Sequence, residues 1–263
     1  MPADLSGTSL LPLAEGEVHV WLVEPEAVAE PLLATYAALL DDGERERHRR
    51  FHFERHRLQF LVSHALVRVT LSRYAAVAPE AWSFVTSAHG RPEVRGDGGE
   101  RLRFNLSHTD GLALCAVTVG TDVGADVEDS ERPGESVGLA EHCFAPSEVA
   151  ALRALPASQQ RERFFEYWTL KEAYIKARGL GLSLPLAHFA FHLAPGAEPR
   201  ISFDARLPDE PEAWRFVPLR PSARHFGALA VRQSRELPLT VRCWRTVPLA
   251  WETPVPLEPP REP

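Results

Sequence analysis

Phe164-Phe165-Glu166-Tyr167-Trp168-Thr169-Leu170-Lys171-Glu172-Ala173-Tyr174-Ile175-Lys176 is the stretch on which the reading of this chain turns. It predicts the centre of a helix over 161–178 that stops at Gly179. Phe165, Trp168, Glu172, Ile175 and Lys176 lie three or four residues apart and so share one helix face. A carboxylate and an ammonium therefore emerge from an aromatic stripe. The plain alternative is an exposed Glu172–Lys176 pair contributing about 0.3–0.5 kcal/mol, but the stripe is too apolar for a typical solvated face.

About forty residues upstream, Gly124-Ala125-Asp126-Val127-Glu128 predicts a strand over 123–128. With a side-chain period of two, Asp126 and Glu128 leave the same face, about 6.5–7 Å apart along the chain, and Ala125 and Val127 look inward. Two carboxylates held together repel, and one should stay protonated unless a cation sits between them. A hard divalent ion such as Mg²⁺ would resolve this; a solvated strand end beside Asp122 and Asp129 is the alternative. Phe104-Asn105-Leu106-Ser107-His108 follows a strand. Ser107 beside His108 invites a hydrolase reading, but adjacent residues rarely meet in attack geometry and no GxSxG elbow is present. Serine and imidazole donors at a strand end fit phosphate binding better, with an ordinary loop histidine as the alternative. Gly90-Arg91-Pro92 places another cation on a stiff turn.

Working outward, 18–23 reads as a strand and Pro31 to Leu40 as a helix. A second, long helix is expected from the arginine segment to about Ala76, ending before Pro79. Strands follow at 82–85, 102–104 and 112–119, with a hairpin turning at Gly96-Asp97-Gly98-Gly99. The later part repeats this order: the 123–128 strand, a helix at 146–155, the 161–178 helix, and strands at 188–192, 201–203, 214–219 and 226–231. The expected fold class is α+β, two similar α/β subdomains, each a small antiparallel sheet packed with helices, with the active site in the cleft between them. The expected divisions are 1–120, 121–235 and a Pro-rich tail, extended or disordered, at 236–263.

The chain has 263 residues, 44% hydrophobic and 25% charged, with 29 Lys+Arg against 36 Asp+Glu for a net charge of −7. That composition is ordinary for a globular protein and argues against global disorder. No window approaches the roughly 18 apolar residues of a membrane span, and Met1 to Leu13 lacks the pattern of a secretory signal. The 3 cysteines are far apart and form no CxxC, as expected of free thiols in a cytoplasmic protein. Lys171 and Lys176 are the two lysines beside 27 arginines (29 − 2), so they mark places where a guanidinium does not substitute for an ammonium. Residues 44–57 carry six arginines and three histidines, a local cationic ridge on an acidic chain.

Together and in this order, these segments resemble the 4′-phosphopantetheinyl transferases, specifically the broad-specificity type made of two fused halves. Gly179-Leu180-Gly181-Leu182-Ser183-Leu184-Pro185 is also similar to that family's segment after the helix, and the likeness runs from about Leu40 to Val231. The resemblance implies that coenzyme A and Mg²⁺ (or Mn²⁺) bind between the halves. The phosphopantetheine arm would pass to a serine of an apo acyl or peptidyl carrier protein, releasing 3′,5′-ADP. It implies Asp126, Glu128 and Glu172 as metal ligands and Glu172 as general base, directly or through water. Lys176, Arg91, Ser107 and His108 would contact phosphate, and Arg47 the 3′-phosphate region. Two departures stand out: Ala125 where many members carry a bulky aliphatic residue, and Arg91 where they carry lysine. Glu44 stands where some relatives have a basic residue. A monomer is implied, with no nucleic-acid or membrane partner. Exposed arginines of 45–57 or the 153–163 region, with Phe144 or Leu155, would meet the carrier. Two other readings stay open at this point: a Mg²⁺-dependent nuclease or phosphohydrolase using the same acids, and a nucleic-acid-binding module using the arginine ridge.

Overall fold

The computed structural model describes residues 10–87, 89–96, 99–134 and 136–256. Its first sheet is centred on β1 (Glu17–Val23), whose residues after Glu17 are all buried because both faces are covered. Trp21 and Val23 face a core shared with α1 (Glu30–Leu39) and, past α2 (Asp42–Arg50), which adds no apolar side chain to it, α3 (Glu54–Leu71). Val18, Val20 and Leu22 face the other way. On one side β1 pairs antiparallel with β5 (Leu112–Val119), which pairs with the edge strand β4 (Leu102–Thr109). A small hairpin, β2 (Ser83–Thr86) and β3 (Pro92–Arg95), stands apart and turns through Gly90, whose φ of +90° suits glycine. Of the turn expected at 96–99, Asp97 and Gly98 lie outside the described residues.

The second sheet has the order β6 (Val123–Asp129), β10 (His225–Arg232), β9 (Trp214–Leu219), all antiparallel. The helices α4 (Ser136–Cys143) and α5 (Pro146–Arg153) pack on α6 (Ala157–Arg178), which covers it. The hairpin β7 (Phe189–His192) and β8 (Arg200–Phe203) completes this half. Helix α6 crosses β6 so closely that a Cβ at Gly124 would collide with the Ala173 carbonyl and the Ala177 amide. A third core of Val, Leu and Ala lies between the sheets, contributed by β1 and β5 from one and β6, β9 and β10 from the other. The order is therefore helices, sheet, sheet, helices, and both halves share the middle layer.

Three elements differ from the sequence-based expectation. The long helix is two, α2 and α3, broken at the extended Phe51 and Phe53. The break lets Glu44 reach back to His64 Nδ1 at 2.7 Å and Arg68 NH2 at 2.6 Å. In one straight helix those twenty residues would span about 30 Å. Glu44 is thus a buried structural acid, which accounts for its place in a basic segment. Its carboxyl is held down at about 2 by the His64 and Asp41 hydrogen bonds and the Arg68 charge, against the upward pull of burial. Secondly, β4 continues to Thr109, so Asn105, Ser107 and His108 lie on a strand.

Thirdly, the expected tail forms β11 (Thr240–Val247) and β12 (Trp251–Val255), while 257–263 lie outside the described residues. β11 returns to the first sheet and runs parallel to β1, with Trp244 opposite Trp21. The two indoles stack with centroids 4.9 Å apart. A parallel pair needs a long crossover, and here the whole second half supplies it. Pro248 sits in a turn and Pro254 on the edge strand, where a missing N–H costs little, so a proline-rich segment still pairs.

Lys171 does not belong to an open site. Its side chain is 0% exposed, and its three ammonium protons meet three acceptors: Leu186 O and Phe189 O, both at 2.7 Å, and Glu148 Oε2 at 2.8 Å. Burial disfavours the charge on both partners, lowering the Lys171 pKa and raising that of Glu148, and the ion pair opposes both shifts.

Candidate active site

The halves meet where two edge strands face each other without a backbone ladder. The Ala125 N–H donates to Asn105 Oδ1 at 2.9 Å, the Val127 N–H to Ser107 Oγ at 3.2 Å and the Asp129 N–H to Thr109 Oγ1 at 3.1 Å. Every second side chain of β4 thus satisfies every second amide of β6, which would otherwise be buried donors without partners. The intervening Asp126 and Glu128 are left to face α6.

Ser107 is saturated. Its hydroxyl donates to Asp126 Oδ1 at 2.9 Å and accepts from the Val127 N–H and from Lys176 Nζ, the latter at 2.9 Å. No proton is left to be drawn off by His108, which disposes of a Ser-His nucleophile. Lys176 Nζ also lies 2.7 Å from Asp126 Oδ1 and 3.1 Å from Ala125 O. Like Lys171, it offers three protons to three acceptors, a match a planar guanidinium cannot reproduce.

The three acids differ in state. Asp126 is 5% exposed, and its Oδ2 is buried with no hydrogen-bond partner among the described residues. Glu128 Oε1 accepts from the Trp168 indole N–H at 3.1 Å, and Oε2 lies 3.3 Å from the Arg132 guanidinium. Burial, then the negative charge of Asp126, pushes the Glu128 carboxyl up to about 7. Glu172, half-buried on α6, is raised by the same two causes, opposed by Lys176. Its side chain makes no hydrogen bond among the described residues. That Asp126 acts on both glutamates brings the three acids of β6 and α6 into one electrostatic group.

As the side chains stand, the described residues contain no cluster of three His, Cys, Asp or Glu groups able to hold a metal ion. The contacts explain why: Asp126 Oδ1 is turned to Lys176, and Glu128 to Trp168 and Arg132. The donor set still suits a hard cation, being all carboxylate, with one buried oxygen unpartnered and two acids discouraged from ionising for want of positive charge.

His108 sits at the rim. Loss of water around the ring, then the positive charge of Lys176, holds its imidazole below the ordinary value and favours the neutral ring. Arg91 and Arg47 are not bonded to this group. Arg91 donates to the Ala177 carbonyl at 2.9 Å and to Glu93 Oε1 at 2.8 Å, with Asp122 at 3.3 Å, bracing the β2–β3 hairpin against the end of α6. Arg47 lies over the Phe60 ring, 5.8 Å from its centroid. Much of the ridge around it is neutralised locally, by Asp42 on Arg45, Glu46 on Arg49 and Arg50, and Glu54 on Arg57.

Residues 122–233 match the family model described as the 4′-phosphopantetheinyl transferase superfamily, and residues 28–119 match that of the 4′-phosphopantetheinyl transferase N-terminal region. The 4′-phosphopantetheinyl transferase HetI of Nostoc sp. is 37% identical over 223 residues, 84% of this chain and 90% of that protein. The chain belongs to the 4′-phosphopantetheinyl transferase superfamily. The 4′-phosphopantetheinyl transferase Sfp of Bacillus subtilis is 29% identical over 158 residues, 60% of this chain and 68% of that protein. This phosphopantetheinyl transferase is thus an enzyme, and the nuclease and nucleic-acid-binding readings are not favoured. Among its described residues, no helix is long and apolar enough to cross a membrane.

Sequence reasoning missed four contributors to the candidate site. Asn105 and Thr109 share the two-residue spacing of Ser107, a signal available once that segment is read as a strand. Trp168 was placed on the right helix face without its hydrogen bond to Glu128. Arg132, on the loop after β6, carried no signal at all.

Proposed function

We propose that this transferase moves the 4′-phosphopantetheine arm of coenzyme A to a serine hydroxyl of an apo acyl or peptidyl carrier protein, leaving 3′,5′-ADP. The observation that carries this is the convergence of Asp126, Ser107 and Lys176 from β6, β4 and α6 beside Glu128 and Glu172. Asp126, Glu128 and Glu172 would hold Mg²⁺, or Mn²⁺ in its place, through the free Asp126 Oδ2 and the two glutamates. When bound, that ion supplies positive charge to pyrophosphate oxygens.

The residues of the chain do the rest. Lys176 adds a fixed ammonium beside the acids, suited to a phosphate oxygen as a point charge. Glu172, whose carboxylate has no competing donor among the described residues, takes the proton of the attacking serine, directly or through water. The serine oxygen–phosphorus bond forms as the bond from phosphorus to the bridging oxygen of the diphosphate breaks, and 3′,5′-ADP leaves with that oxygen. Ser107 holds Lys176 and Asp126 in register. His108, neutral in the free protein, offers the phosphates one hydrogen bond, and Arg47 lies toward the 3′-phosphate. For Arg91 to contact phosphate it must exchange Glu93 or Asp122 for it. The protein acts as a cytoplasmic monomer with reduced cysteines, Cys115 and Cys243 buried and Cys143 partly so.

The test is incubation with coenzyme A, Mg²⁺ and a panel of apo carrier proteins, read by intact mass. A carrier gaining one phosphopantetheine, with equimolar 3′,5′-ADP, supports the proposal. Diphosphate cleavage without mass gain on any carrier contradicts it. The carriers modified fastest identify the pathway served.

A further inference from the structure

Asp126 and Glu128, both on β6, are not equally accessible to a cation. Asp126 gives one oxygen to Lys176 and keeps the other unpartnered. Glu128 has neither oxygen free, since the Trp168 indole holds Oε1 and Arg132 stands 3.3 Å from Oε2. Trp168 is fixed in the aromatic layer of α6, stacked on Phe164 with centroids 5.6 Å apart. Arg132 is the replaceable partner: its side chain is 38% exposed, against 16% for Glu128.

The surroundings of Arg132 fit a side chain with two positions. The backbone of its loop is pinned by Arg161, which donates to Ser130 O at 2.6 Å, to Gly134 O at 3.1 Å and to Arg132 O. The guanidinium lies over two rings, 5.3 Å from the centroid of Phe165 and 5.7 Å from that of Trp168. Arg132 also lines an open groove of about 600 Å³, with Ser130, Pro133, Ser158 and Glu162. Leaving Glu128 therefore needs a rotamer change into solvent-filled space and no backbone movement.

We propose that Arg132 is the resident counter-ion of Glu128, that it competes with a divalent cation for Glu128 Oε2, and that it withdraws into the groove when the cation binds. This rests on the reading of Asp126, Glu128 and Glu172 as the cation site. Arg132 is a positioning residue: it sets the cation affinity of the site through Glu128. Its charge opposes the cation twice, by occupying the oxygen and by repelling a like charge nearby.

The experiment is calorimetric titration of EDTA-treated full-length protein with Mn²⁺ alone, at pH 8.5 and low ionic strength, so that protons and salt compete little. Arg132→Ala and Arg132→Gln should bind Mn²⁺ about two- to fivefold more tightly than the parent, the equivalent of a half-exposed ion pair. Arg132→Lys, which keeps the charge, should stay within about twofold of the parent. Misfolding would weaken binding, so tightening cannot arise from damage. Equal or weaker binding by both neutral variants overturns the proposal. Mn²⁺ binding by the parent that Asp126→Asn leaves unchanged removes the cation-site reading beneath it instead.

Discussion

Lys176 Nζ and Asp126 Oδ1 lie 2.7 Å apart, and that same oxygen takes the Ser107 hydroxyl at 2.9 Å. One carboxylate oxygen thus joins α6, β6 and β4, so charge and hydrogen bonds tie the halves together at the point where we propose the chemistry occurs.

The ammonium of Lys176 spends its three protons on Asp126, Ser107 and Ala125 O. A guanidinium of the same charge would present a flat fork to acceptors arranged around a point. Lys176→Arg should therefore lose carrier modification roughly tenfold or more while the fold survives. Initial rates with a saturating carrier, together with the melting temperature, check this; a rate within a few-fold of the parent contradicts it.

The Glu128 carboxyl stands at about 7, against an ordinary value of 4.5. An acid that binds its proton more tightly folded than unfolded costs stability on ionising, so the parent should lose stability as pH rises from the unfolded value to the folded one. Glu128→Gln does not ionise. In metal-free buffer with EDTA, its melting temperature relative to the parent should rise by a few degrees between pH 5 and pH 8. A difference that does not change with pH contradicts the assignment.

Lys171 and Glu148 are a buried pair, each 0% exposed. Removing one partner strands a charge, and Lys171→Met should cost about 3–5 kcal/mol in urea unfolding. Adding Glu148→Gln removes the stranded charge, so the double variant should be more stable than the sum of the single losses. Strict additivity contradicts this account.

Much of this was legible because the decisive segments are regular. The period of two at Asp126 and Glu128, and the helical spacing of Trp168, Glu172 and Lys176, each place a side chain on a face without tertiary information. The two lysines turn out to stand in different settings, each with three acceptors: Lys176 between the halves, and Lys171 in a buried cage. What was not legible depends on contacts distant in sequence. The break between α2 and α3 is stabilised by Glu44 meeting residues twenty and more positions later. Arg132 becomes part of the site through the path of its loop. β11 was hidden because its partner is β1, at the other end of the chain.

That last pairing makes the first half depend on the final residues. A chain ending at Ser234 loses β11 and β12, opens the side of β1 and removes the Trp244 ring stacked on Trp21. It should fail to give a cooperative unfolding transition, and Trp244→Ala in the full chain should cost about 3–5 kcal/mol. A soluble truncated protein with a sharp melting transition near that of the parent contradicts this.

Asp126, Glu128 and Glu172 are proposed to serve one transfer reaction. The most direct measurement is the intact mass of an apo carrier after incubation with coenzyme A, Mg²⁺ and equal amounts of parent, Asp126→Asn or Glu172→Gln protein, each confirmed folded. The parent should convert the carrier fully, and both variants should be slower by about a hundredfold or more. Conversion by folded Asp126→Asn and Glu172→Gln proteins at rates near that of the parent would contradict it.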